Sequence, residues 1–490
     1  MSAGISMHYL NLKISEPFFC SRRQEKPEGV FIAWAILLFI VGGLFWGYFI
    51  GWGQATYLDS HDWAEITVPR LSFLQNAIRQ GVLPLHISGK AALNNVTDRF
   101  LTIPDLLLSP QVLLLGVMPV SQFVLFNLLL SYTVGFAGLV WICQRYSLSA
   151  FSLTVLFLLF NFNGHLLAHI SVGHFTWTGF FLFPWLVGLT LRLFEPDSVD
   201  WRWVFRVCVL TLMMLLQGGY HQFIWALFFL TMLALVSGRH WPWLIGAVVF
   251  SVLLSAFRTV PAVLNLGQFE NNYFLGFPGL YTIFESMVTS YFPNEVILNG
   301  DLANHTGVWE VITYVGLAGL VFLVVFGVIR VFRSRFEDLS YVPLLIPIIG
   351  LTLLSLDRVY FYLRKVLPIP IFTGERVASR IVSLALVILM VLSVIEWQKW
   401  FNRQAQPVVL RLASLGFLGI MAHDLWNNSR LWTVKYARNL LDRPVMDPSN
   451  WQIVNYPDPA YFTVLWIGVG ISVLSLLGLI LLSIKSKRVR

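Results

Sequence analysis

About a dozen apolar runs punctuate the chain of 490 residues, and they limit what it can fold into more than any other feature. They fall near 30–51, 121–143, 149–162, 176–194, 203–217, 221–237, 242–262, 309–330, 342–355, 379–396, 407–422 and 462–484. Lipid offers no hydrogen bonds, so a spanning segment must satisfy its own backbone, and runs of this length do so as helices. Only 12% of the residues are charged and 57% are hydrophobic, against about 25% charged in soluble domains. The expected fold is all-α and polytopic, with about twelve transmembrane helices. Several runs are shorter than the ~20 residues of a perpendicular span, so their ends should extend into the polar flanks. Forty Phe and 19 Trp suit lipid-facing surfaces and interfacial belts. Cys20, Cys143 and Cys208 form no CxxC pair, which supports neither a disulfide framework nor a zinc site.

The net charge of +8 is explained by topology rather than by nucleic acid. With the N-terminus inside, nineteen of the 33 lysines and arginines fall in the shorter inner segments, from Lys13 to Arg490. An even number of spans returns the C-terminal KSKRVR to the same side, so both termini are expected in the cytoplasm. The run from Val30 to Ile50 is too long for a signal-peptide core and reads as an uncleaved first helix. The long loops, roughly 52–120, 263–308, 356–378 and 423–461, then lie outside, where the chemistry should be.

The first outer loop opens with TYLDSHDWAEITVPR. Asp59, Asp62 and Glu65 are three apart and would share one face of a helix. Like charges on one face repel unless a metal, a substrate cation or a proton relieves them. Oxygen ligands of this kind suit a divalent cation such as Mg or Mn, and a lone carboxylate could serve as a general base. Leu71, Leu74, Ile78 and Val82 follow at near-helical spacing and predict an amphipathic surface helix, ended by Gly81 and Pro84.

Other polar residues cluster at outer turns. NGHLLAHISVGH supplies His165, His169 and His174, the first two four apart and able to share a helical face. They either cap helix ends at the interface or hydrogen-bond a phosphate or sugar hydroxyl; HExxH-type zinc spacing is missing. QGGYHQ adds His221 beside glycines that permit close backbone approach. Arg258, near the outer end of a span, either snorkels or faces a cavity and an anionic partner. Glu310 stands at a helix start, where the dipole favours it. Arg376 and Arg380, four apart in FTGERVASR, could together face an anionic lipid head.

Taken in order, these segments resemble the GT-C superfamily of polytopic membrane glycosyltransferases, in particular its bacterial YfhO-like branch. The resemblance is carried by HDWAEITVPRLSFLQNAIRQGVLPL, NGHLLAHISVGHFTWTGFFLFPWLVGL, LLQGGYHQFIWALFFL, GVWEVITYVGLAGLVFL and FTGERVASRIVSLALVIL, spread over most of residues 30–396. The branch's Pro–Leu–Trp reads PLH here, and its long C-terminal extracellular region is missing. The resemblance implies a cytoplasmic segment 1–29, a catalytic transmembrane module 30–396, and C-terminal helices with an outer loop over 397–490. It further implies transfer of a sugar from a polyprenyl-phosphate donor to a lipid or glycan acceptor on the outer face of a bacterial plasma membrane. Asp62, with Asp59 as the second choice, would then be base or metal ligand. His165, His169, His174, His221, Arg258, Glu310, Arg376 and Arg380 would bind substrate, the basic ones holding the donor phosphate. The rival class is a multi-pass transporter or flippase of a lipid-linked or amphipathic substrate. Transporters tend to place ionisable residues at mid-membrane, whereas here they gather at span ends and in outer loops.

Overall fold

The computed structural model describes residues 18–19, 28–83, 86–88, 101, 105–195, 199–266, 274–290, 307–336, 341–368, 370–404, 408–440, 452–454 and 459–488. Cys20, Pro84 and the basic residues from Lys13 to Lys26 lie outside them. Within these limits the chain is helical, save for a three-residue antiparallel pair, β1 (His86–Ser88) with β2 (Gln452–Val454), in which Ile87 faces Ile453.

In chain order the principal helices are α1 (Glu28–Phe49), α2 (Val68–Arg79), α3 (Val120–Arg145), α4 (Ala150–Asn161), α5 (Gly164–Ser171), α6 (Phe183–Leu191), α7 (Trp201–Leu216), α8 (Tyr220–Val236) and α9 (Trp241–Leu254). They continue with α10 (Ala256–Leu266), α11 (Gly316–Phe322), α12 (Leu345–Leu354), α13 (Val382–Arg403), α14 (Val408–Leu431), α15 (Val434–Leu440) and α16 (Pro459–Arg488). The apolar runs expected from the sequence coincide with helix, except that residues 311–315 of the run near 309–330 are not helical. Among the described residues, eight helical stretches are long and apolar enough to cross a membrane, or nine with a bent pair taken as one. The difference from twelve lies in short helices such as α7 and α8, of 16 and 17 residues.

The core is organised around α13, which is buried on all sides from Val382 to Trp397. It packs against α4, α6, α8, α12 and the π-helical stretch Leu323–Arg330. A helix apolar all round belongs inside, and α13 is the hub. At the rim, α1, α14 and α16 turn Ile36, Leu44, Leu412, Ile420, Leu474 and Leu481 outward. Continuous apolar exposure of this kind suits hydrocarbon as the surrounding solvent.

Two elements depart from expectation. Helix α2 does form, and it ends where Gly81 adopts φ +68. Its apolar side, however, is spent on the protein: Leu71, Phe73, Leu74 and Ala77 are buried, and Gln75 donates to the carbonyls of Leu115 (2.9 Å) and Met118 (2.7 Å). The single span expected near 242–262 breaks at Ser255, and α9 and α10 meet at 74°. The Ser255 carbonyl accepts from the N–H groups of Arg258 and Thr259, both at 2.9 Å, which starts α10 afresh.

At the end of the bundle where α13 finishes, polar groups close the structure. Gln398 Oε1 accepts from the Ser149 N–H and Ser152 Oγ, each at 2.9 Å, and Lys399 pairs with the buried Glu396 at 2.6 Å. Gln398 is therefore a test of how the hub is fastened. Gln398→Leu strands a buried N–H and hydroxyl, which costs about 1–3 kcal/mol. Thermal unfolding of the purified variant in detergent should show a lowered midpoint, while Asn402→Ala, at the periphery of the same cluster, should change it less.

Candidate active site

The other end of α13 begins beside the acidic loop. Asp62 directly precedes a π-helical turn, Trp63–Thr67, in which the Val68 N–H reaches back to the Trp63 carbonyl. Such wide turns recur at functional sites. The turn is pinned to the end of α5: the fully buried Trp63 donates from Nε1 to the Ser171 carbonyl (3.0 Å), and Thr67 Oγ1 donates to the Gly173 carbonyl (2.7 Å). Gly173 is required there. Its φ is +101, and a Cβ would stand 2.2 Å from the Trp63 nitrogen.

This docking delivers Asp62 to the histidines. His174 Nε2 lies 2.9 Å from Asp62 Oδ2, and His61 Nδ1 lies 3.4 Å from Oδ1. The Asp62 side chain keeps 21% of its surface exposed. Burial pushes its carboxyl up, but the hydrogen bond and charge of His174, with His61 and Arg380, outweigh it and hold the group down to about 2.

Helix α5 is capped by Asn163, whose Oδ1 accepts from the Leu166 N–H (2.9 Å). It places His165 and His169 on one face, with ring centroids 4.6 Å apart. His165 Nδ1 faces the Ile312 carbonyl at 2.8 Å, so that nitrogen donates and Nε2 is left buried with no hydrogen-bond partner among the described residues. His169 Nδ1 and His174 Nδ1 are 2.6 Å apart and share one proton, while Trp177 stacks on His169 at 4.0 Å and 7°. Asp62, His174 and His169 thus form a hydrogen-bonded line from a partly open carboxylate to a buried imidazole.

Two further carboxylates close the cluster. Arg380 grips Glu310 with both arms, Nε to Oε2 at 2.6 Å and Nη2 to Oε1 at 2.5 Å, and Ser379 Oγ donates to the Glu310 carbonyl at 2.7 Å. Burial raises the Glu310 carboxyl, yet Arg380 and then His174 bring it below its ordinary range. Glu375 accepts from His221 Nδ1 (2.8 Å), Trp225 Nε1 (3.1 Å) and the Val377 N–H (3.1 Å). Its burial too is outweighed, by His221 and Arg380, and its carboxyl is lowered.

The structure thus brings Asp62, His165, His169, His174, Glu310 and Arg380 together, with His221 one step away through Glu375. It separates others. Asp59 lies ahead of the helical turn rather than on it, and Arg438 of α15 holds its two oxygens at 2.5 and 2.6 Å. Glu65 points to solvent, so the three acids share no face. Arg376 and Arg380 do not share one either, because residues 374–377 are not helical; Arg376 is exposed while Arg380 turns inward. Arg258 is buried beside Asp105 and donates to the Leu101 carbonyl. Burial drives the Asp105 carboxyl above its ordinary range against the pull of Arg258 and Arg70. Arg70, on α2, is within electrostatic reach of both Asp105 and Asp62 and links the two groups of charges.

Sequence reasoning passed over Arg70 and Asp105, and it noted Glu375 beside Arg376 and Arg380 without giving it a role. The available signal was a charge inside a mostly apolar stretch, as in VPRLSFL and IPDLLL. Asp59 is held by Arg438 and Asp62 by His174, so the two carboxylates face different partners. Among the described residues the group able to offer three metal ligands is His169, His174 and Glu310, with atoms within 4.8 Å of one another. There the Arg380 guanidinium already neutralises Glu310, and a divalent ion beside it would meet strong repulsion. No protein-family model, curated protein or solved structure matches this chain.

Two outcomes test this geometry. Gly173→Ala should destabilise the protein by more than about 1 kcal/mol, since the left-handed backbone and the Trp63 contact both resist a side chain; thermal unfolding measures it, and an unchanged midpoint would refute the tight docking. Because the folded Asp62 carboxyl lies below its ordinary 3.8, its ionised form stabilises the fold above about pH 4. That contribution fades as pH falls from 3.8 to about 2. Unfolding measured across this window should be less steeply pH-dependent in Asp62→Asn than in the wild type.

Proposed function

We propose that the chain is a membrane glycosyltransferase of the GT-C type, moving a sugar from a polyprenyl-phosphate donor to a lipid or glycan acceptor. We place the reaction on the outer face of a bacterial plasma membrane, with twelve crossings and both termini in the cytoplasm. The observation that carries the reading is the Asp62–His174 pair, a partly open carboxylate 2.9 Å from an imidazole at one end of a helical bundle. Arg70 and Arg380 lie within electrostatic reach of it. The distribution of contacts supports the crossings: Ser149 before α4 meets Gln398 near the end of α13 at one end, and at the other the segment 310–312 meets both Ser379 before α13 and His165 of α5.

The chemistry asks for what this arrangement offers. The acceptor hydroxyl attacks the anomeric carbon, the bond from that carbon to the phosphate oxygen breaks, and the lipid phosphate leaves with the electron pair. Asp62 orients the hydroxyl through its exposed edge and takes the proton as the leaving group departs. A carboxyl as acidic as this one is a weak base at rest. It therefore suits a displacement in which departure of the phosphate runs ahead of proton transfer, with positive charge building on the sugar ring. His174 holds the carboxylate in position and is itself held by His169. Arg70 is the cation placed to meet the departing phosphate, and preorganised charge of this kind stabilises the transition state. Arg380 serves mainly to keep Glu310 and the histidine wall in place. A resident metal has no step in this account.

The test is incorporation of label from polyprenyl-phosphate sugars into membrane lipid or glycan. Asp62→Asn should lower transfer about 100-fold or more, the usual scale for losing a positioned base, with the folded protein retained. Arg70→Gln should weaken transfer and Arg70→Lys should restore part of it. Full transfer by Asp62→Asn would overturn the assignment. Substrate-dependent flux in proteoliposomes, with no transfer from any donor, would favour the transporter.

A further inference from the structure

Away from this site, at the opposite end of the bundle, one face of α7 lines two adjoining cavities. The larger, of about 520 Å³, lies between α3, α6 and α7 and is walled by Trp141, Trp185, Leu189, Phe205 and Met213, with Arg206 its one charged residue. The second, of about 510 Å³, lies between α7 and α16, against Arg202, Phe205, Ile480, Ser483 and Ile484. Both fall within the ~300–1,000 Å³ of ligand clefts. Phe205 stands between them as a shared wall.

The two arginines are one helical turn apart, so both guanidinium groups lie on the α7 face that carries Phe205. Arg202 Nε donates to the Ser483 carbonyl at 3.4 Å, and its Nη2 is buried with no hydrogen-bond partner among the described residues. Arg206 makes no hydrogen bond or ion pair among the described residues. The nearby acids are engaged elsewhere: Asp200 caps α7 through the N–H groups of Arg202 and Trp203, and Glu195 holds Arg145. Trp201 and Trp243 meet edge to face at 5.4 Å beside the start of α7. Tryptophans gathered at one level mark a headgroup boundary.

We infer that this face binds one anionic diacyl phospholipid, its phosphate held by Arg202 and Arg206 and its two acyl chains lying in the apolar cavities on either side of Phe205. A basic pocket between spans, at the level of the headgroups, recognises a lipid in this way. Two arginine forks supply donors that a zwitterionic lipid satisfies less well, because its own cation competes for the phosphate. The inference does not depend on the reaction proposed for Asp62.

Native mass spectrometry of the full chain in neutral detergent, exchanged against mixtures of phosphatidylglycerol and phosphatidylcholine, tests it. The wild type should retain one phosphatidylglycerol in preference by about thirtyfold, equivalent to about 2 kcal/mol for two basic residues. Arg202→Gln with Arg206→Gln should lose the preference, and the double lysine variant should keep most of it. Asp62→Asn should bind lipid as the wild type does, and glycerol phosphate without chains should not displace the lipid. Equal retention of the two lipids by the wild type, or an unchanged preference in the double glutamine variant, would overturn the inference. So would stronger retention of a polyprenyl phosphate than of phosphatidylglycerol.

Discussion

Everything at the polar end of the bundle depends on the two-armed pairing of Arg380 with Glu310. Glu310 is nearly fully buried, and an unpaired carboxylate there would be costly enough to rearrange its surroundings. Pairing it fixes the segment that begins at Gly307 against the first turn of the central helix. Ser379 reinforces the join through the Glu310 carbonyl. Two residues further on, the Ile312 carbonyl receives His165, and Gly164 donates its N–H to the Tyr314 carbonyl at 2.8 Å. The position of the histidine helix is therefore inherited from one ion pair. Through Ser171 and Gly173, so is the position of the acidic loop.

A second consequence is electrostatic. Arg380 lies close enough to bias Asp62, His165, His169, Glu310 and Glu375 together. It favours the ionised state of the carboxylates around it. That leaves His174 as the junction where a proton is shared, with Asp62 on one side and His169 on the other. Arg70 reaches both Asp62 and Asp105, and Arg258 lies on the far side of Asp105, whose carboxyl burial still drives above its ordinary range. Interleaving acids with bases is what allows these groups in an apolar bundle, since each has an opposite partner within reach in place of bulk water.

How much of this was legible in the sequence follows from the range of each interaction. Helices α1, α3, α13, α14 and α16 were readable because hydrophobicity over a span is a local property. The pairing of His165 with His169 was readable because one helical turn brings them together. The bend at Ser255 was not, because nothing local marks it strongly; Pro261 lies inside the helix that follows. The partner of Asp59 comes from Arg438, 379 residues away, and no spacing rule reaches that far. The same applies to Glu310 with Arg380. Glu310 looked like an ordinary helix-start acid and Arg380 one half of a helical pair, yet each had its partner across the fold. Glu65 illustrates the converse: its spacing from Asp62 was right for a shared face, but a π-helical turn changes the angular step and turns it to solvent.

The two ends of the molecule solve the problem of charge near lipid in different ways, and the contrast bears on function. At the α7 end, Arg206 is exposed at the edge of an apolar cavity and makes no hydrogen bond or ion pair among the described residues, so lipid headgroups or water supply its counter-charge. At the Asp62 end, each carboxylate of the cluster has a hydrogen-bonding partner in the protein, Asp62 in His174, Glu310 in Arg380 and Glu375 in His221, so the cost of burial is offset before any ligand arrives. A site built to bind a free ion would leave its ligands competing for that ion. Here the groups are fixed in place, and the Asp62 side chain stays partly exposed. The reaction proposed above would draw on this arrangement, because the energy of ordering the site is contributed by folding and need not be drawn from substrate binding.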